Sequence, residues 1–270
     1  MNPNQALWEK GDFTKVASAM RGSGEALVRE IGVGPGLKVL DLGCGDGTTA
    51  LPSAQLGADV LGVDIARNLV EAGNRRAQDA GLTNLRFQEG DATALVDLKD
   101  QSFDLVVSIF GAMFAPKPFD VAQEMVRVTK KGGRIVMGNW IPNDPTLVAQ
   151  LLKISSSYLP PPPPEFISPM KWGVESDVIE RFGSAGIPPE RISFERATFT
   201  FDYPGKPADY ADVMRTYYGP TMNAVDAAEK GGRLADLVRE IDELYTAQNR
   251  STTPGATSIP AAYLRVTVEV

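Results

Sequence analysis

Apolar and polar positions change rhythm twice along this chain. Residues 4–30 carry Leu7, Trp8, Val16, Met20, Leu27 and Val28 at roughly helical spacing, interrupted by Gly11 and by Gly22 and Gly24, which predicts two short helices. From Leu37 short apolar runs alternate with amphipathic stretches. The runs predict strands at Lys38–Leu42, Asp59–Val63, Leu85–Gln88, Phe103–Ile109 and Arg134–Asn139, the last after a Gly132-Gly133 turn. Between them Thr48–Leu56, Asn68–Ala80 and Phe119–Thr129 read as helices. Such alternation predicts an α/β fold with a doubly wound parallel sheet that meets ligands at the carboxyl ends of its strands.

Beyond Trp140 the rhythm loosens. Pro142–Tyr158 has room for a short helix, and Pro160–Pro164 must be extended because proline locks φ and offers no amide donor. That run reads as a stiff surface strap, or as a docking site for a proline-recognising module. Val174–Ala185 predicts a helix ended by Gly186, and Arg191–Tyr203 a long strand with one slip in its alternation. Residues 206–247 return to helical spacing, including the amphipathic run Leu234–Leu244, and Ser251–Ser258 reads as a polar loop. Tyr263–Val270 closes the chain as a strand with Leu264, Val266 and Val268 on one face.

The densest chemistry lies in Val39-Leu-Asp-Leu-Gly-Cys-Gly-Asp-Gly-Thr48, where an apolar strand runs into three glycines at alternate positions. Gly43, Gly45 and Gly47 can take positive φ and carry no Cβ, so the main chain can turn sharply and let a ligand touch the backbone. Asp41 ends the first strand and Asp64 the second, about twenty residues on, the spacing at which a βαβ unit brings an acid over a ribose. Together they describe an adenosine site. The turn is not the G-x-G-x-x-G of nicotinamide and flavin enzymes, and it lacks the Gly-Lys-Ser/Thr that holds a triphosphate. Glu89-Gly-Asp91-Ala92 follows the third strand.

Composition narrows the ligand. A net charge of −7 argues against nucleic acid, whose binding draws on clustered Lys and Arg. The single cysteine, Cys44, has no companion for a disulfide or a metal site, which makes the cytoplasm the expected compartment. No secretory segment and no apolar run of about 18 residues appears, so no membrane partner is expected. The chain holds 0 histidines, which leaves Asp, Glu, Tyr, Lys or water for any acid–base step.

On these residues the chain resembles the class I S-adenosylmethionine-dependent methyltransferases, of the group that includes the ubiquinone and menaquinone biosynthesis enzymes. The likeness covers residues 36–140 and rests on Val39–Thr48 with Asp64, Asp91-Ala92 and Lys131-Gly-Gly133. Trp8, Gly11-Asp12-Phe13, Val16-Ala17 and Phe110-Gly-Ala-Met-Phe-Ala-Pro116 are similar to a bacterial small-molecule subgroup. The resemblance implies S-adenosyl-L-methionine as cofactor, with Gly43, Cys44 and Gly45 against it and Asp41 orienting its amino-acid end. It further implies Asp64 on both ribose hydroxyls, Ile65 against adenine, and Asp91 on the adenine amino group beside the backbone of Ala92. Ser108, Ile109 and Phe110 would line the far side. Taken singly, each acid also reads as a helix N-cap or a solvated turn.

The family's DNA and protein-glutamine members carry an Asn- or Asp-Pro-Pro-aromatic motif after the fourth strand, where this chain has Ser108-Ile-Phe-Gly-Ala-Met-Phe114. A small-molecule methyl acceptor is therefore expected, transferred to in line, with the protein mainly aligning the reactants. Lacking histidine, the chain suits an amine, a thiol, or an acidic carbon or phenol. Phe13, Met113, Phe114, Trp140, Tyr217 and Tyr218 are candidate acceptor walls, or ordinary core. A non-catalytic S-adenosylmethionine-binding or partner-activating protein is the alternative, with a nucleotide-dependent oxidoreductase behind it.

The expected architecture is a Rossmann-like, seven-stranded sheet, mostly parallel with an antiparallel last strand. Residues 1–36 form an N-terminal helical flap in which Trp8 and Phe13 either cover the crevice or pack on the core. Residues 37–203 and 261–270 form the cofactor-binding domain. Residues 204–260 separate two strands that a short hairpin usually joins, and are expected to form a helical cap over the crevice or a dimerisation arm. The protein is expected to be a monomer or homodimer.

Overall fold

The computed structural model describes residues 3–270. Its sheet has seven strands in the order β3-β2-β1-β4-β5-β7-β6. Strands β1 (Lys38–Leu42), β2 (Asp59–Asp64), β3 (Leu85–Glu89) and β4 (Phe103–Ile109) fall where the apolar runs put them. β5 (Thr129–Trp140) runs parallel to β4, and β7 (Thr257–Glu269) runs antiparallel to both β5 and β6 (Ile192–Tyr203). The strand order reverses between the parallel neighbours β1 and β4, and this opens a crevice at their carboxyl ends.

Central strands read as continuous apolar runs because helices cover both faces of a parallel sheet. In β1, Val39, Leu40, Asp41 and Leu42 are all buried. Helices α1 (Pro3–Glu9), α2 (Phe13–Ala17) and α3 (Arg21–Glu30) precede the sheet, so the leading segment holds three helices where two were expected. Only α3 behaves as an ordinary layer helix, burying Leu27 and Val28 against α4 (Ala50–Gln55) and β6. Helix α5 (Arg67–Asp79) ends at Gly81, whose φ of +66° and amide bond to the Gln78 carbonyl turn the chain into β3. Helix α6 (Pro118–Val128) starts on a proline, which fits the first turn because its missing N–H has no partner there.

β5 begins earlier than expected. Thr129 pairs with Phe103, the register shifts over the glycine turn, and pairing resumes at Arg134 with Leu105. The Gly132 amide is held by the Val270 carbonyl at 2.7 Å, so the turn is built into the strand instead of preceding it.

The slip expected in the sixth strand is not a slip of register. β6 and β7 pair without interruption from Ile192 with Val268 to Tyr203 with Thr257. What changes is the buried face: Ile192 and Phe194 turn toward the core in the first half, Phe199 and Phe201 in the second. β7 mirrors this, burying Ile259, Ala261 and Tyr263 before Leu264, Val266 and Val268. β5 reaches only as far as Tyr263, so the outer halves of β6 and β7 form a two-stranded ribbon. Pro260 sits on that ribbon, where no β5 strand needs its missing amide.

The ribbon carries α9 (Pro207–Tyr217), α10 (Gly219–Lys230) and α11 (Leu234–Gln248). Their buried side chains include Tyr210, Met214, Leu237, Ile241 and Tyr245. Helix α7 (Leu147–Ser157), from the connection after β5, packs against α10 and α11 and completes this helical layer. Helix α8 (Glu175–Ser184) lies on α6; of the run expected to be extended, Pro160–Pro163 carry no regular hydrogen-bonded structure, while Pro164 lies in a turn closed by the Phe166 amide on the Pro163 carbonyl at 3.0 Å.

Candidate functional site

The chain leaves β1 through Gly43, Gly45 and Gly47, with φ of +68°, +55° and +92°. Two of them do different work. A Cβ on Gly43 would stand 2.7 Å from the Gly111 Cα and 2.8 Å from the Ala112 nitrogen, so this glycine lets the β1 and β4 turns touch. A Cβ on Gly45 would meet only the Phe13 ring, at 3.8 Å, so this glycine keeps open space above the turn. The Gly45 amide donates to Asp64 Oδ2 at 2.8 Å and the Ala66 amide to Asp64 Oδ1 at 2.9 Å, tying the end of β2 to the turn. Burial pushes the Asp64 carboxyl up, and these amides oppose the shift.

The turn floors a crevice with about 890 Å³ of empty space. From β1 it is lined by Leu42, Gly43, Cys44 and Gly45, and from β2 by Asp64 and Ile65. Gly90, Asp91 and Ala92 line it after β3, and Ile109 and Phe110 at the end of β4. Asp91 Oδ1 accepts from the Thr93 amide at 2.9 Å and the Thr93 hydroxyl at 2.8 Å, which orients the carboxylate. The N-terminal helices supply Asn4, Trp8, Phe13 and Met20, and β6 supplies Phe199.

Two expected cofactor residues lie elsewhere. Asp41 is buried behind the floor, where it accepts from Thr49 Oγ1 at 2.5 Å and from the Ala50 amide. Burial raises its pKa to about 7, and the nearby Asp64 charge adds to the rise. The side chain therefore braces the start of α4, because at that strand position it points toward the helix and not into the crevice. Ser108 is consumed in the same way: its hydroxyl donates to the Leu42 carbonyl at 2.7 Å and accepts from the Ala112 amide at 3.0 Å, joining β4 to β1. The Cys44 thiol is pushed well up by burial and by the carboxylates of Asp64, Asp41 and Asp46, so it stays protonated and inert.

Asp46 was not expected, since the middle of a glycine turn reads as a solvated acid. It lines the crevice with 2% of its surface exposed. Arg21 binds its Oδ2 at 2.5 Å and Thr48 Oγ1 at 2.5 Å, while Arg76 donates to its carbonyl at 2.6 Å. Its Oδ1 is buried and has no hydrogen-bond partner among the described residues.

Of the expected acceptor walls, Phe13 lines the crevice and the other five do not. Met113 is fully buried in the turn after β4. Trp140 is core: its ring stacks on Phe110 with centroids 3.6 Å apart. It holds Phe110 at a φ of +61°, a conformation uncommon for a side chain of this size. Phe114 and Tyr218 pack on the Trp8 ring from behind, at 5.0 and 6.0 Å, and Tyr217 also lies off the crevice. Tyr218, from residues 204–260, packs on Trp8 and Phe13 of the N-terminal segment, whereas Met113, Phe114 and Trp140 are taken up by packing at and beyond the ends of β4 and β5. None of the insertion's residues lines the crevice.

Residues 40–137 match a family described as a methyltransferase domain. An uncharacterised protein of Mycobacterium tuberculosis is 34% identical over 252 residues, spanning 88% of this chain and 87% of the relative. A demethylmenaquinone methyltransferase of Renibacterium salmoninarum is 39% identical over 114 residues, 42% of this chain and 46% of that one. This chain is a class I S-adenosylmethionine-dependent methyltransferase. Among solved structures, phosphoethanolamine N-methyltransferase 2 of Haemonchus contortus, in complex with phosphomonomethylethanolamine and S-adenosylhomocysteine, superposes with a TM-score of 0.62. It is 15% identical and matches 100% of this chain and 60% of its own, a likeness of fold.

The methyltransferase's own residues fit its cofactor. Each Asp64 oxygen already takes one amide and retains capacity for another donor, as a ribose diol requires. The unpartnered Asp46 oxygen is a buried acceptor of the kind an ammonium satisfies. The open space above Gly45 lets a ligand lie against the backbone. Among the described residues no cluster of His, Cys, Asp and Glu could hold a metal, and no helix is long and apolar enough to cross a membrane.

Proposed function

We propose that this methyltransferase modifies a small-molecule acceptor held under the N-terminal helices. The observation that carries the reading is the aromatic cover: Trp8 and Phe13 both line the crevice and meet edge to face at 5.8 Å, with the Phe13 ring facing the space above Gly45. A crevice covered in part by aromatic side chains suits a compact acceptor better than a polymer, and the net charge of −7 disfavours nucleic acid.

In this reading Asp64 takes the ribose hydroxyls, Ile65 lies against adenine, and Asp91 with the backbone of Ala92 meets the adenine edge. Gly43 and Gly45 lie against the cofactor, and Ile109 and Phe110 form its far wall. Asp46 replaces Asp41 as the acid at the amino-acid end, with Arg21 beside it as a complement for the carboxylate. When bound, the cofactor supplies a methyl group on a sulfonium, which an aligned nucleophile takes without a covalent enzyme intermediate. The chain's contribution is alignment and exclusion of water. Residues 3–20 serve as the cover of the crevice and the helical insertion as its backing.

Calorimetry with S-adenosylmethionine, followed by S-adenosylhomocysteine release across a panel of small acceptors, tests the reading. Cofactor binding with release driven by at least one compound is expected. Labelling of protein or nucleic acid with no small-molecule turnover overturns the acceptor class, and cofactor binding without any turnover favours a non-catalytic role.

A further inference from the structure

The helical insertion does not line the crevice, yet the segment that covers the crevice is built onto the insertion. Helix α1 is 7 residues long and α2 is 5, too short to hold a helix or a position by themselves. None of residues 4–9 is buried, although Trp8 and, further on, Phe13 line the crevice. What fixes these rings must lie outside the segment.

Two seams hold it. Toward the core the holding is done by side chains: Glu9 Oε1 accepts from the Arg67 amide at 3.0 Å, the Gly11 carbonyl accepts from Asn68 Nδ2 at 3.3 Å, and the Trp8 ring meets Phe114. Toward the insertion the backbones themselves meet. A Cβ on Gly219, at the start of α10, would stand 2.4 Å from the Leu7 carbonyl oxygen, and one on Gly11 would stand 2.4 Å from the Tyr217 carbonyl oxygen. No side-chain carbon tolerates that distance, so the contact itself holds both positions to glycine. Around them Lys10 Nζ donates to Asp226 Oδ2 at 2.6 Å and to Asn223 Oδ1 at 2.7 Å, and the Tyr210 hydroxyl donates to the Val16 carbonyl at 3.3 Å.

From this contrast we infer that residues 204–260 are the platform that sets the cover, and that Lys10, Gly11 and Gly219 are positioning residues that act on the bound cofactor through Trp8 and Phe13. The inference rests on the reading of residues 3–20 as the cover and adds what holds that cover in place. The path to the ligand is short. Phe13 lies 3.8 Å from the point a Cβ on Gly45 would occupy, so a cofactor resting on the Gly45 backbone touches that ring. Loosening the platform seam lets the ring lift, and the cofactor leaves sooner. An insertion of this length calls for a function, and holding the cover supplies one.

Two readouts test the inference without any acceptor. Of the 3 tryptophans, Trp140 and Trp172 are buried in the core and Trp8 is half-buried, so acrylamide quenching of fluorescence reports on the cover. Bound cofactor is expected to lower that quenching in the wild type. A chase of bound tritiated S-adenosylmethionine with unlabelled cofactor, followed by rapid filtration, gives the release rate. Gly219→Ala drives a Cβ into the Leu7 carbonyl and is expected to speed release at least about fivefold, with Trp8 more readily quenched in the complex. Lys10→Asp, at an exposed pair, is expected to speed it about two- to fivefold. Adding Asp226→Lys to Lys10→Asp restores opposite charges across the seam and is expected to return both readouts to the wild-type values. Gly183→Ala, in α8 with nothing within 4 Å of the added Cβ, is expected to change neither.

Wild-type release rates in both seam variants overturn the inference, as does a Lys10→Asp effect that Asp226→Lys fails to reverse; in either case the cover reading stands. Should Gly219→Ala fail to fold, the exposed Lys10 and Asp226 pair decides the matter alone. A Trp8 quenched equally with and without cofactor in the wild type removes the cover reading beneath the inference.

Discussion

Replacing Asp41 by Asn should flatten the pH dependence of this protein's stability. The carboxyl is shut behind the crevice floor, and burial raises its pKa from 3.8 to about 7. The unfolded chain releases this proton near the ordinary value, while the folded chain keeps it until about pH 7. Between those values the folded state binds one proton more than the unfolded state, so stability falls as pH rises. The full contribution is present below pH 3.8 and is lost by about pH 7. A shift of about 3 units at about 1.36 kcal/mol each makes the loss about 4 kcal/mol. Asn keeps the shape and accepts one of the two donors, and the Thr49 hydroxyl can reverse to accept from its amide. Urea unfolding of both proteins from pH 4 to pH 8 is the assay, because charges common to the two cancel in the difference. Asp41→Asn should gain on the wild type across that range. Equal slopes for the two proteins, or a variant that loses ground to the wild type as pH rises, would refute the placement of this acid.

Asp64→Ala removes an acceptor offered to the ribose and should weaken S-adenosylmethionine binding at least tenfold, at about 1.5–3 kcal/mol per charged hydrogen bond; an unchanged dissociation constant in calorimetry would contradict the role. Gly45→Val sets a β-branched residue at a φ of +55° above the crevice floor, and should abolish cofactor binding while circular dichroism reports a folded protein. Arg21→Met leaves the buried Asp46 carboxylate without its closest cation and should cost about 3 kcal/mol or more in thermal or chemical unfolding. Adding Asp46→Asn should restore part of that loss, and strict additivity of the two changes would count against the pairing. Trp140→Ala removes the ring stacked on Phe110 and should cost about 3–5 kcal/mol, with weaker cofactor binding because Phe110 is freed from its left-handed conformation.

The alternation of strands and helices, the glycine turn and the acids after β2 and β3 were legible in the chain because each is a local pattern. A strand of Lys38–Leu42 followed by Gly43, Gly45 and Gly47 can hardly do anything but turn, and the observed φ values say so. The ending of α5 at Gly81 follows from the same local chemistry. Insertion of helices between β6 and β7 was visible from length and spacing alone.

Which way a side chain faces was decided by elements far away in sequence. Asp41 in β1 and Asp46 in the turn that follows stand five positions apart, yet α4 claims the first and Arg21, from a helix before the sheet, holds the second at the crevice. The aromatics of residues 110–140 could not be sorted into wall and core until Phe110 and Trp140 were seen stacked and Trp8 was seen in front of Phe114. β6 reads as an irregular strand only because the layers covering its two halves lie on opposite faces. Backbone sterics and the hydrogen bonds that close turns and helix ends act over a few residues and so are written in the sequence. Burial is settled by whatever the folded chain brings alongside, and only the tertiary structure decides it.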